Sequence, residues 1–137
     1  MKAVFLDTSG WFAALSDKEQ HHAAAVAAYS GFIKAGVQMV TTNLVIAEMH
    51  ILLSRFRGPG NGFRFLESVY QDATHEVQFV DRDLEHAATD RWLRKFSDQS
   101  FSLADAVSFE VMRMRRIKQA LALDEHFKVA GFVRLPK

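Results

Sequence analysis

The chain has 137 residues, 49% of them hydrophobic and 24% charged, with a formal net charge of +1 at pH 7. That length suits a single domain with one substantial core, the composition excludes wholesale disorder, and the near-neutral balance restricts any nucleic-acid footprint to local patches. Cysteine is absent, which excludes a disulfide scaffold or a thiolate metal site and fits a reducing, cytoplasmic setting.

Residues 3–6 (AVFL) read as a short apolar strand and residues 9–15 as a short helix. Asp7 interrupts this apolar run before a signal-peptide core could form, and no later stretch is apolar for long enough to cross a membrane, so no membrane association is expected. Residues 19–35 are alanine-rich and helical, closed by Gly36. Residues 37–41 form a second strand, after which Thr42 or Asn43 can cap a long helix to about residue 56. Residues 58–62 (GPGNG) read as a loop, and helix resumes over 63–70. A strand over 76–80, a helix over 84–96 and a polar turn over 97–101 follow. Ser102 opens the next helix, with Asp105 at capping-box spacing. Residues 120–123 form a strand and 132–135 an edge strand. Strands alternating with helices predict an α/β fold: a mostly parallel sheet between two helical layers, in one domain spanning residues 1–137.

Four acids stand in awkward places. Asp7 and Asp124 each close an apolar strand (AVFL-Asp7, ALAL-Asp124), at the sheet edge where α/β proteins bind ligands. Capping of the following helix explains either one alone. Glu48 has Leu44, Val45, Ile51 and Leu52 as its helical neighbours, which predicts a carboxylate on the packing face, either in a buried ion pair or on a metal. Asp105 falls in a first helical turn, where the helix dipole also favours it. Four carboxylates brought together repel one another, and a divalent cation relieves the conflict. Oxygen donors of this kind suit Mg²⁺ or Mn²⁺ rather than zinc, and such a site suits phosphodiester chemistry.

These residues resemble the PIN-domain ribonucleases, and within them the VapC-type toxins of bacterial toxin–antitoxin pairs. FLDTSGWFAAL is similar to the family's first motif, TTNLVIAEMHILLSR to its second, FSLADAVSFEVMRMRRI to its third and ALALDEHFKVAGF to its fourth. The resemblance implies a Mg²⁺- or Mn²⁺-dependent endoribonuclease with Asp7, Glu48, Asp105 and Asp124 as catalytic metal ligands. Thr8 and Ser102 would support them from behind. It also implies an RNA substrate, a cognate antitoxin partner and a homodimer. A catalytically silent PIN-like module, kept for dimerisation or partner binding, is the alternative. The chain departs from the family pattern at Glu110, at Glu125 after the fourth acid, and at Arg116, where glycine is common.

Other candidates carry less. The run Arg113, Arg115, Arg116 and Lys118, like Arg91, Arg94 and Lys95, suits either a solvated helix face or RNA phosphate contact. Glu110 is expected to pair with Arg113 or Arg94. His126 could approach a phosphate, although packing or capping beside Phe127 is the simpler role. Trp11, Phe12 and Phe101 suit a core better than base stacking.

Overall fold

The computed structural model describes residues 1–137. β1 (Ala3–Leu6) is sealed on both faces, with Val4, Phe5 and Leu6 all fully buried. Such an unbroken apolar run marks a central parallel strand. Its neighbours are β2 (Gln38–Thr42) and β4 (Gln119–Leu121). β3 (His75–Gln78) and β5 (Val133–Leu135) form the edges. The sheet order is β3-β2-β1-β4-β5, and every pairing is parallel.

Two groups of helices flank the sheet, giving the three-layer α/β/α arrangement. One group contains α1 (Thr8–Leu15), α2 (His22–Ala35), α3 (Asn43–Arg57) and α4 (Pro59–Gln71). Trp11 of α1 meets Phe65 of α4 edge to face, with ring centroids 5.0 Å apart. The other contains α5 (Arg82–Ala88), which runs into a π-helical turn (Thr89–Arg94), α6 (Leu103–Arg115) and the short α7 (His126–Val129). There Phe109 packs against Trp92, Phe101, Phe127 and Phe132. Most of the heavy phenylalanine load is thereby placed in the core.

The departures from sequence expectation have local causes. The GPGNG segment is mostly helix. Pro59 is the first residue of α4, where its missing N–H costs nothing. Gly62 serves close helix packing, since a Cβ there would come within 2.0 Å of Ser54 Oγ on α3. β3 stops short of Val80 because the Val80 N–H is taken by Asn43 Oδ1 at 2.8 Å. β4 stops before Leu123 because the Leu123 N–H donates to Ser9 Oγ at 2.9 Å. α2 begins at His22, whose Nδ1 lies 2.7 Å from the Ala13 carbonyl.

The chain order switches direction at β1, whose two neighbours lead outward to opposite edges. In open α/β sheets the crevice beyond the strand ends at such a point is where ligands bind. α1 reaches it by lying directly on β4: a Cβ on Gly10 would meet the Leu121 backbone at 2.5 Å. Only glycine permits this approach, and it fixes the start of α1 beside the end of β4.

Candidate metal centre

The site is assembled at the carboxyl ends of β1 and β4. The Asp7 N–H donates to the Leu121 carbonyl at 3.1 Å, which ties the two strand ends together. Asp7 does cap α1: its Oδ2 accepts the Ser9 N–H at 3.2 Å and the Ser9 hydroxyl at 2.6 Å. The same Ser9 Oγ accepts the Leu123 and Asp124 N–H groups at 2.9 and 3.3 Å. Ser9 thus joins the first acid to the segment carrying the fourth. Sequence reasoning assigned the adjoining hydroxyl to Thr8. The signal for Ser9 was its position two residues past an N-cap aspartate, where a side-chain turn forms.

Asp105 sits in the first turn of α6 inside a complete capping box. Ser102 Oγ accepts the Asp105 N–H at 3.0 Å, and Asp105 Oδ2 accepts the Ser102 N–H at 3.0 Å. Asp124 Oδ1 accepts the His126 N–H at 2.9 Å. Capping is therefore real for Asp7 and Asp105, whereas Asp124 closes a side-chain turn one residue ahead of the Glu125 N-cap, and these roles do not exhaust the acids. His126 Nδ1 lies 3.1 Å from Asp105 Oδ2 and 3.6 Å from Asp124 Oδ1. One ligand atom from each of Asp105, Asp124 and His126 falls within a 4.8 Å cluster. His126 also packs on Phe101, with centroids 5.1 Å apart, rather than on the expected Phe127, and it sits between two acids while doing so.

Glu48 corrects the sequence reading. It is exposed, not on the packing face. The buried stripe of α3 is Val45, Ile46, Met49 and Leu53. Of the four apolar neighbours only Val45 is buried, and Ile51 is 54% exposed. Thr8 Oγ1 donates to Glu48 Oε1 at 3.4 Å, which brings the carboxylate to the same sheet edge.

The electrostatics are those of uncompensated charge. Burial pushes the Asp7 carboxyl up to about 7; Ser9 opposes the shift, and the charges of Asp105 and Asp124 add to it. Glu48 is raised by partial desolvation and by Asp105, against the Thr8 hydrogen bond. No lysine or arginine forms an ion pair with any of the four acids; His126 is the sole basic partner, to Asp105 and Asp124. Neighbouring carboxylates with free oxygens, two of them (Asp7 and Glu48) held above their usual pKa, fit a divalent cation. The arrangement lies on an open edge. A half-open cavity of about 130 Å³ lies elsewhere, lined by Trp11, Tyr29 and His75 among others.

The basic run on α6 is not brought to this edge. Arg113, Arg115 and Arg116 stand at the opposite end of the helix from Asp105, about 12–17 Å away along its axis. Arg113 is bound to Glu110 at 2.8 Å, and Arg115 to Glu76 and Gln78 at 2.6 and 2.8 Å. The 4.8 Å group contains neither Asp7 nor Glu48, which join it through the charge of Asp105, and Glu110, 1% exposed, is held apart from it by its arginine partners. It pairs with Arg113 as expected and with Arg91 rather than Arg94. Trp11, Phe12 and Phe101 are all buried.

The PIN domain family profile matches residues 4–133. The chain is 33% identical over 132 residues to the 23S rRNA-specific endonuclease VapC20 of Mycobacterium tuberculosis, from strains CDC 1551 / Oshkosh and ATCC 25618 / H37Rv. The alignment covers 96% of this chain and 97% of that protein. The crystal structure of M. tuberculosis VapC20, described as a Sarcin-Ricin loop cleaving toxin, superposes with a TM-score of 0.82 at 30% identity. It covers 96% of this chain and 97% of that one.

Proposed function

The chain belongs to the PIN-domain family, and from that premise we propose that it is an endoribonuclease toxin of a toxin–antitoxin pair, dependent on Mg²⁺ or Mn²⁺ and acting on a folded ribosomal RNA segment. The observation that carries this reading is the acid cluster at the sheet's switch point, left without lysine or arginine partners in a chain whose relative VapC20 cuts RNA.

Asp7, Asp105 and Asp124 hold the cation, and Glu48 completes the cluster. A divalent cation there lowers the pKa of a water and neutralises charge on the scissile phosphate. The chain's own groups prepare that place. Ser9 fixes one oxygen of Asp7, the Ser102 backbone fixes one oxygen of Asp105, and Thr8 restrains Glu48. Orientation of this kind is what keeps anionic ligands in position before the ion arrives. The open edge admits a polymer, which a closed pocket would not.

The proposed partners are the RNA, an antitoxin protein and a second copy of this chain, in the cytoplasm. No helix is long and apolar enough to cross a membrane. Ile51, Phe56 and Phe63 on α3 and α4 are 54–61% exposed, which suits protein partners.

The test is cleavage of a ribosomal RNA fragment by purified protein with Mg²⁺, with Mn²⁺ and with EDTA. Wild type cuts with metal and not with EDTA, and Asp7→Asn and Asp105→Asn proteins that keep their far-ultraviolet dichroism do not cut. Undiminished cleavage in both variants, or in EDTA, refutes the proposal.

A further inference from the structure

We propose that His126 is itself a ligand of the cation, through Nδ1, and that this nitrogen donor biases the site toward Mn²⁺ and other first-row transition ions over Mg²⁺. The inference rests on the metal-site reading above and goes beyond its carboxylate-only donor set.

Three observations support it. The first is position: Nδ1 is hydrogen-bonded to Asp105 Oδ2 at 3.1 Å and lies 3.6 Å from Asp124 Oδ1, and the three ligand atoms fit within 4.8 Å; the cation takes the place of the shared proton, and the neutral ring keeps its proton on Nε2. Atoms bound to one ion at about 2.0–2.2 Å stand about 3–4 Å apart, so the cluster is already close to the span of a shared coordination sphere. The second is restraint. The ring is set edge to face on Phe101, with centroids 5.1 Å apart and planes at 70°. The backbone of the same residue is tied to Asp124 Oδ1 at 2.9 Å, which leaves Asp124 Oδ2 free. Together they hold the ring nitrogen on the two carboxylates. The third is the absence of any competing cation: no lysine or arginine pairs with Asp105 or Asp124.

The chemistry follows from donor softness. Mg²⁺ takes oxygen ligands and sheds water reluctantly, whereas imidazole binds first-row transition ions well. Replacing one oxygen donor by imidazole therefore separates ions that an all-carboxylate site treats more alike.

The experiment uses the full chain loaded with Mn²⁺ alone. Electron spin-echo envelope modulation of the wild-type protein shows coupling to a ¹⁴N nucleus, and His126→Ala abolishes it. Calorimetric titration of the same proteins shows Mn²⁺ affinity falling about tenfold or more in His126→Ala, while Mg²⁺ affinity changes about twofold or less. Bound Mn²⁺ with no nitrogen coupling in the wild type overturns the inference and needs no variant to show it. A parallel loss of Mn²⁺ and Mg²⁺ affinity also overturns it, because His126 would then act only by positioning Asp105. Wild-type protein that binds neither ion, or an Asp105→Asn protein that binds both normally, overturns the metal-site reading itself.

Discussion

Glu110 and Asp7 are both buried carboxylates, 1% and 8% exposed, and their surroundings drive them in opposite directions. Burial alone would raise the Glu110 pKa. Hydrogen bonds from Arg113 and from the Trp92 indole, with the charges of Arg113 and Arg91, bring it instead below the usual carboxylate value. Asp7 has a serine for its partner and two more acids for neighbours, and it rises to about 7. One acid is a finished structural joint between the π-helical turn and α6. The other awaits a counter-charge. Burial is common to both carboxylates, and what separates them is the counter-charge that Arg91 and Arg113 supply to Glu110.

The largest expected effects separate the two regions completely. Asp124→Asn removes a charge from the cluster while its Oδ1 can still accept the His126 N–H. Cation stabilisation of several kcal/mol is at stake, so RNA cleavage falls by about 10³-fold, with little change in thermal stability. Glu110→Ala does the reverse. It leaves the buried Trp92 Nε1 without its acceptor, which costs about 1–3 kcal/mol, while the half-exposed Arg91 and Arg113 turn to water. Urea titration detects the loss, while specific activity per folded molecule stays at the wild-type level. A Glu110→Ala protein that is stable but inactive would erase the distinction between the two acids.

A smaller effect tests the sign of the imbalance. The folded-state pKa of Asp7 lies above its unfolded value, so the metal-free native state holds a proton that the unfolded chain releases. The associated stability is fully present below about pH 4. It is lost as pH rises toward about 7, the raised value. Asp7→Asn keeps the cap and the Ser9 acceptor but does not titrate. In EDTA, wild type should lose roughly 2 kcal/mol more than Asp7→Asn between pH 5 and pH 8. Saturating Mn²⁺ should restore the wild type and not the variant. Denaturant melts at the two pH values read this directly, and an equal loss in both proteins refutes the imbalance.

Much of this was legible in the sequence, and most of the failures share a cause. The apolar runs that lead into Asp7 and Asp124 placed both acids at the sheet edge without any tertiary information, although β4 itself ends at Leu121. Ser102 and Asp105 declared their capping box through spacing alone. Glu48 was assigned to the wrong face because apolar neighbours were equated with buried neighbours, yet Ile51 is exposed and Leu44 and Leu52 are only half-buried. The GPGNG segment was taken for a loop because glycine was read as conformational freedom, when Gly62 supplies the close approach of α4 to α3. The contact of His126 with Asp105 joins residues 21 positions apart, which no local pattern announces. Pro59 at the first position of α4 is a local helix-start signal, whereas the exposure of Ile51, the packing of Gly62 and the partner of His126 depend on how elements meet.

The smallest expected effect concerns the region that the acids leave untouched. Arg116 ends α6 in the left-handed conformation, at φ 57° and ψ 37°. A side chain there costs about 1–2 kcal/mol, and glycine at this place recovers part of it against its greater freedom when unfolded. Arg116→Gly should therefore stabilise the fold by about 0.5–1 kcal/mol. Unlike Arg113 and Arg115, Arg116 forms no ion pair, and it stands at the far end of α6 from Asp105. Its replacement should leave cleavage and its salt dependence unchanged. A raised KM for long RNA with a shallower salt slope would show instead that substrate phosphates reach this far edge. The thermal shift and the salt slope report on different physics, so the strain at Arg116 and any contact with RNA can be read from the same variant.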